Sequence, residues 1–197
     1  MIIKSAEFIK SCASEKDYAG ITAPVIAVAG KSNVGKSSFI NMLTGNGKLA
    51  KTSKEAGRTR LVNLFTINAD KEFILADLPG WGYSAAGKNL TSDFGALTEG
   101  FLKSVKNLKH IFMLADIRHE PQDSDKIMLS FMHRFQIPFT VLAIKSDKLS
   151  GAKLAPQIDV LAAGLGLGRD NIIPVSNLTK AGKDLVLKKI RETLCSE

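Results

Sequence analysis

One eight-residue segment constrains the fold of this chain more than any other feature. Residues 30–37 read GKSNVGKS and match the pattern GxxxxGK[ST] in full. An apolar predicted strand, residues 25–29, precedes them, and a predicted helix, residues 36–43, overlaps their end. In that setting the backbone N–H groups of the loop and the helix N-terminus point at phosphate groups, and the loop is called a P-loop. We therefore expect an α/β fold that binds nucleotide phosphates at this junction.

The P-loop also assigns two side chains. Lys36 has the reach to contact the β- and γ-phosphates, and the hydroxyl of Ser37 is placed to ligate Mg²⁺. The loop alone does not choose between ATP and GTP. That choice depends on residues farther along the chain.

The remaining apolar segments alternate with amphipathic ones, which is typical of a mostly parallel sheet covered by helices on both faces. Polar residues 68–71 separate two of the predicted strands and suit a hairpin, which predicts one antiparallel edge strand. We expect one domain over residues 1–197, with residues 1–22 as an N-terminal extension packed on it. The predicted strands are residues 25–29, 62–67, 73–76, 111–115, 139–144 and 172–175, and the predicted helices are residues 36–43, 93–105, 124–135, 156–165 and 180–193.

Two polar, glycine-bearing segments, residues 45–61 and 79–91, are predicted to be mobile loops beside the phosphates. The second begins within Asp77-Leu78-Pro79-Gly80, which reads DxxG at the end of a predicted strand. Asp77 would hold Mg²⁺ through water, and the N–H of Gly80 would contact the γ-phosphate. Thr59, in the first loop, would give its hydroxyl to Mg²⁺ and its N–H to the γ-phosphate.

Lys145-Ser146-Asp147 follows the predicted strand 139–144 and favours guanine over adenine. An aspartate accepts two hydrogen bonds from guanine, at N1–H and the 2-amino group, and adenine lacks that edge. The aliphatic stem of Lys145 would lie against the base. A backbone N–H in the segment 175–177 would meet guanine O6.

Composition adds a charge argument. The chain has 27 basic and 19 acidic residues, a net charge of +8, which favours a polyanionic partner such as nucleic acid as well as a solvated basic surface. Lys4 and Lys10 interrupt the N-terminal segment, and no apolar run reaches the roughly 18 residues that span a bilayer, so a cytoplasmic protein without a membrane partner is expected. The two cysteines are predicted to be reduced bystanders.

Together these motifs resemble the EngB (YihA/YsxC-type) family of ribosome-biogenesis GTPases, in the translation-factor class of P-loop GTPases. The segments GKSNVGKSSFIN, GRTRLVNLF, DLPGWGYS and KSDKL, with residues 116–119, carry the resemblance over nearly the whole chain. It implies a three-layer P-loop GTPase fold with six or seven strands, and hydrolysis of GTP to GDP with Mg²⁺. It also implies a switch in assembly of the large ribosomal subunit, a link to cell division and septation, and a monomer. The implied nucleotide-binding set is Gly30, Lys31, Ser32, Asn33, Val34, Gly35, Lys36, Ser37, Ser38, Gly57, Arg58, Thr59, Arg60, Leu61, Asp77, Leu78, Pro79, Gly80, Ile144, Lys145, Ser146, Asp147, Val175, Ser176 and Asn177.

The chain departs from the family pattern at two positions. The base motif usually reads [NT]KxD, and Ile144 stands where a polar side chain normally ties this loop to the P-loop, so we expect a loosened site. Asn177 stands where a small residue is common, and a backbone N–H survives that change.

The predicted catalytic residues are Lys36, Thr59, Gly80 and Asn33. Trp81 follows DxxG, where many GTPases have a glutamine that orients water, so unassisted hydrolysis should be slow. Asn33 resembles an asparagine that helps to hold K⁺ in some GTPases, and K⁺ or ribosomal particles would then stimulate turnover. Arg58, Arg60 and Arg118 are expected to be surface residues. Two alternatives stay open, a small-molecule kinase using ATP and an RNA-binding scaffold that holds guanine nucleotide with little turnover.

Overall fold

One seven-stranded sheet forms the centre of the computed structural model, which describes residues 1–18, 20–51, 61–68, 72–81 and 92–195. The strands are β1 (Ala6–Cys12), β2 (Val25–Gly30), β3 (Val62–Ile67), β4 (Phe73–Asp77), β5 (Leu108–Asp116), β6 (Phe139–Ile144) and β7 (Ile172–Val175). The helices are α1 (Lys36–Thr44), α2 (Ser92–Ser104), α3 (Asp123–Arg134), α4 (Gly151–Leu165) and α5 (Lys183–Cys195). Short 3-10 turns occupy Glu15–Tyr18, Ser146–Lys148 and Arg169–Asn171.

The strand order is β1-β3-β4-β2-β5-β6-β7. Pairing is parallel from β4 through β2, β5 and β6 to β7, and antiparallel between β3 and both of its neighbours. This confirms the predicted α/β class, with a mostly parallel sheet, antiparallel pairing at one edge and P-loop topology. The helices lie on both faces because successive side chains of a strand point to opposite sides and both sides are apolar here.

Each face of the sheet has its own core. On one side, Phe39 and Leu43 of α1 and Ile190 of α5 pack with Ile26 and Phe112 of the sheet. The opposite face is covered by α2 and α3, and α4 continues that layer over β6 through Leu161 and Leu165. The three-layer arrangement fixes where each strand ends, and the strand ends position the site.

The outermost strand, β1, was not predicted. It lies within the N-terminal extension, pairs antiparallel with β3 from Ala6↔Ile67 to Cys12↔Val62, and has a bulge between Phe8 and Lys10. Most of its side chains are exposed, so it lacks the apolar run by which the other strands are recognised. Asn68, at the predicted turn, has φ 62° and accepts the Lys4 N–H through Oδ1 at 2.7 Å. Residues 69–71 of that turn lie outside the described part of the chain.

Three predicted element boundaries were wrong for identifiable reasons. Helix α5 begins at Lys183 rather than 180, because Gly182 has φ +79°, which is not a helical conformation. Only glycine fits there, since a Cβ would lie 2.2 Å from the Pro174 carbonyl oxygen. Helix α4 begins at Gly151 and includes Pro156 in its interior, although proline favours a first turn. Strand β5 begins at Leu108 rather than 111. The polar residue His110 belongs to the strand because it is buried there, with its Nε2 3.0 Å from Thr140 Oγ1.

No helix in the described ranges is long and apolar enough to cross a membrane.

Candidate functional site

The carboxyl ends of β2, β4, β5, β6 and β7 meet at one edge of the sheet, because all five strands run in the same direction. In doubly wound α/β folds, ligands bind outside this edge. The P-loop follows β2, Asp77 ends β4 and Asp116 ends β5. The segments that contain Asp147 and Ser176 follow β6 and β7. The structure therefore brings the P-loop, Asp77 and the segments after β6 and β7 to the same edge of the sheet.

The P-loop connects β2 to α1 as predicted, and α1 begins at Lys36. Ser32 donates its N–H to the Trp81 carbonyl at 2.7 Å, so the loop is held against the segment after β4. Asn33 is exposed at the loop apex with φ 62°, and the Val34 N–H bonds to the Lys31 carbonyl at 3.1 Å. Ser38, at the start of α1, is also exposed.

Lys36 and Asp77 form the charged centre of the site. Burial lowers the pKa of Lys36 and raises the pKa of Asp77 to about 6, and the attraction between the two charges opposes both shifts. Lys36 Nζ donates to the Gly30 carbonyl at 3.3 Å. Asp77 Oδ1 is buried and has no hydrogen-bond partner among the described residues. An unpaired buried carboxylate oxygen costs free energy, and a hydrated Mg²⁺ at this point would satisfy it.

Gly80 packs directly on the P-loop. A Cβ at this position would lie 2.9 Å from Ser32 Cα and 3.0 Å from Lys36 Nζ. Any side chain there would displace the P-loop backbone or its lysine. The glycine of DxxG is therefore required by its close approach to the P-loop.

Trp81 is buried, with 4% of its surface exposed, as expected for a packed aromatic residue. Its Nε1–H donates to Asp125 Oδ1 at 3.0 Å, a contact that the sequence did not predict. Asp125 Oδ2 accepts the Gln122 N–H at 2.9 Å and so caps α3. Trp81 is thus joined to the P-loop through its backbone carbonyl and to α3 through its indole.

Asp116 orients Lys145. Lys145 Nζ donates to Asp116 Oδ2 at 2.9 Å, while Arg118 binds both oxygens of the same carboxylate at 2.9 and 2.7 Å. Partial burial opposes ionisation, but these donors hold the pKa of Asp116 well below its usual range. Arg118 is a surface residue as predicted, and the ion pair fixes it beside the base loop.

Ser176 orients Asp147. The Ser176 hydroxyl donates to Asp147 Oδ1 at 2.7 Å and holds the pKa of that carboxyl below its usual range. The same Oγ accepts the N–H groups of Leu178 and Thr179 at 3.2 and 3.0 Å. Because those two donors occupy the lone pairs of Oγ, its proton is directed to Asp147. From the sequence, Ser176 was predicted only as part of a segment that offers a backbone N–H to guanine, and no signal indicated its hydroxyl as a donor to Asp147.

Ile144 is fully buried and ends β6 against the P-loop, where its Cδ1 lies 3.3 Å from the position of a Cβ on Gly35. It supplies no polar tie. Instead, Asn177 Nδ2 donates to the Gly35 carbonyl at 3.3 Å. The two residues that depart from the family pattern, Ile144 and Asn177, therefore both lie against Gly35 of the P-loop.

Four predicted site residues, Gly57, Arg58, Thr59 and Arg60, lie outside the described residues, as does most of the second predicted loop. Leu61 is described and exposed, and Leu78 is buried. The start of the first predicted loop is held against α1. Asn41 of that helix donates to the carbonyls of Gly47 and Ala50 and accepts the Ala50 N–H at 2.8 Å.

Comparison with known proteins gives a consistent family. Residues 25–145, more than half of the chain, match a family model described as a 50S ribosome-binding GTPase. The probable GTP-binding protein EngB of Desulfosudis oleivorans is 38% identical over 190 residues, covering 96% of this chain and 95% of that protein.

Solved structures show the same fold. The crystal structure of a probable GTP-binding protein engB gives a TM-score of 0.69 at 24% identity, over 86% of this chain and 98% of the other. Era, in complex with MgGDPNP and nucleotides 1506–1542 of 16S ribosomal RNA, gives a TM-score of 0.68 at 27% identity. That match covers 88% of this chain and 57% of the Era chain.

Proposed function

Because the chain belongs to the EngB family of GTP-binding proteins and is a GTPase, we propose that it acts as a nucleotide-controlled switch in assembly of the large ribosomal subunit. The observation that carries this proposal is the match of residues 25–145 to a family described as a 50S ribosome-binding GTPase. Era is seen with 16S ribosomal RNA, which supports an RNA partner in general. The net charge of +8 fits such a partner. Impaired septation on loss of the protein is part of the same proposal.

The nucleotide would lie along the edge of the sheet where the parallel strands end. The protein would act as a single-domain monomer in the cytoplasm. Lys36 and the P-loop N–H groups bind the phosphates, and Asp147 binds the guanine edge with Lys145 against the base. The donors already fixed on Asp116 and Asp147 preorganise that half of the site, since neither carboxylate has to find its partner when nucleotide arrives. These contacts predict selection of guanine over adenine.

Mg²⁺ fits the other half of the site. Asp77, with its unpaired buried Oδ1, would hold the ion through water, and Ser37 and Thr59 would be direct ligands. When bound, the ion neutralises charge that develops between the β- and γ-phosphates. Gly80 lets the DxxG backbone approach the phosphate end of the P-loop, which would make the position of that segment depend on the γ-phosphate.

Slow unassisted hydrolysis is part of the proposal. Trp81 follows DxxG, and its indole N–H is bonded to Asp125 instead of a water near the phosphates. Asn33 is exposed at the P-loop apex, where it can help to hold K⁺. We propose that K⁺, 50S particles or both supply the missing stabilisation.

A second candidate function, an RNA-binding scaffold with little turnover, is favoured by the same fixed orientation of Trp81. Multiple-turnover GTP hydrolysis separates the two, measured in K⁺ and in Na⁺, with and without 50S subunits. The switch predicts turnover that rises at least tenfold with K⁺ or 50S particles. Equal, barely measurable rates in all four conditions would instead support the scaffold.

A further inference from the structure

Asn177 joins two parts of the site that are far apart in sequence. Its Nδ2 donates to the carbonyl of Gly35 in the P-loop at 3.3 Å, across 142 residues. We propose that Asn177 is a positioning residue that ties the base-recognition loops to the P-loop. This inference rests on the proposed guanine site at Asp147 and names a residue that controls how firmly that site holds nucleotide.

The P-loop side of the tie is already fixed. The Gly35 carbonyl accepts the Phe39 N–H at 2.9 Å, which is a backbone bond at the start of α1, and it accepts Asn177 as a second donor. A carbonyl oxygen has two lone pairs, so both bonds are satisfied together. Movement of Asn177 is therefore transmitted to the residue that precedes Lys36.

The base side of the tie is also fixed. Ser176, the neighbour of Asn177, bonds to Asp147 through its hydroxyl and donates its N–H to the Ala181 carbonyl at 3.0 Å. Asn177 thus extends from a loop that already holds the guanine-binding carboxylate. A rigid chain of contacts runs from Asp147 through Ser176 and Asn177 to the P-loop.

Ile144 explains why the tie comes from β7 and not from β6. The end of β6 also contacts the P-loop, but there Ile144 presents a buried methyl group toward Gly35. An apolar contact fixes no direction, whereas a hydrogen bond weakens steeply when its angle departs from the preferred range. Asn177 supplies the directional contact that Ile144 does not.

Only the amide nitrogen of Asn177 makes this tie. Its Oδ1 is buried and has no partner among the described residues, so the side chain contributes to the site through its donor. A carboxylate of the same shape would place an acceptor against the Gly35 carbonyl. Asn177→Asp should therefore weaken the site more than Asn177→Ala.

The test measures release of fluorescent GDP by stopped flow from the wild-type protein, Asn177→Ala, Asn177→Asp and Leu178→Ala. Leu178 is a matched control because it is the next residue of the same loop and its side chain is 76% exposed. One hydrogen bond predicts GDP release about two- to tenfold faster from Asn177→Ala, and faster still from Asn177→Asp. Competition by GDP and ADP, and the thermal midpoint without nucleotide, are measured in parallel.

A positioning role predicts that Asn177→Ala keeps the wild-type guanine preference and releases GDP faster. Its thermal midpoint should fall by no more than the roughly 2–4 °C that one hydrogen bond contributes. Wild-type release rates in both Asn177 variants, or equal acceleration in Leu178→Ala, would overturn the tie. Faster release that accompanies a larger fall in the thermal midpoint would assign Asn177 to folding and would also overturn the positioning role. A wild-type protein that fails to prefer GDP over ADP would overturn the guanine site itself, which is a different result.

Discussion

Asp147→Asn is the substitution for which the structure predicts the largest change in nucleotide preference. In the wild-type protein the Ser176 hydroxyl must donate to residue 147, because its oxygen already accepts two backbone N–H groups. An asparagine at 147 would therefore place its carbonyl oxygen toward Ser176. Its NH₂ group would take the position of Asp147 Oδ2, where a donor replaces an acceptor.

The consequence for the base follows from this orientation. Guanine presents two donors, N1–H and the 2-amino group, and the variant offers one acceptor and one donor to them. One hydrogen bond is weakened because its acceptor is no longer charged, and the other is replaced by two opposed donors. Together these changes cost about 4 kcal/mol, or roughly 10³-fold in GDP affinity. Xanthine carries a carbonyl at position 2, so it pairs with the variant and recovers most of that loss.

The assay is competition of fluorescent nucleotide by GDP and by XDP, for wild-type protein and Asp147→Asn. We expect wild-type protein to prefer GDP and the variant to prefer XDP. Ser150→Ala is the control and should keep the wild-type preference, because Ser150 is exposed and its side chain makes no capping hydrogen bond to α4. Unchanged preference for GDP in Asp147→Asn would refute the assignment of this carboxylate to the base.

Three further predictions concern packing and charge. Asp125→Ala should shift the emission of Trp81, the only tryptophan, to shorter wavelength, because the buried indole N–H loses the carboxylate that stabilises its excited state, while Asp123→Ala should not. Burial, aided by Lys189, lowers the pKa of His110 from 6.5 to about 4, so the folded state binds fewer protons between these values. The free energy of unfolding should therefore be highest above pH 6.5 and about 3 kcal/mol lower at pH 4. Urea unfolding of His110→Asn should lack this pH dependence. Asn41→Ala removes three hydrogen bonds to the segment after α1 and should lower the free energy of unfolding by about 3 kcal/mol, measured in urea.

The sequence predicted the fold because the buried strands are short and apolar and the P-loop ties one strand to one helix. It missed β1 because an edge strand with exposed side chains lacks that pattern. It began β5 too late because His110 is polar, although it is buried as a strand residue beside Thr140. These errors arise where tertiary contacts, not local composition, decide the structure.

In the site, the residues predicted to touch nucleotide were found from motifs, but the residues that hold them were not. Ser176 reaches Asp147 across 29 residues, and Trp81 reaches Asp125 across 44. No local pattern reports contacts of that range. Ile144 gives the base loop no polar tie, and the tie from Asn177, in the loop after β7, was not predicted. The loosened site expected from Ile144 stays a prediction.

The central claim is that guanine nucleotide controls binding to the large ribosomal subunit. The most direct measurement is co-sedimentation of the protein with purified 50S subunits in K⁺ and Mg²⁺, loaded with GDP or with a non-hydrolysable GTP analogue. We expect the analogue-bound protein to sediment with 50S subunits at least about tenfold more strongly than the GDP-bound protein. Equal sedimentation in the two states, or none in either, would contradict it.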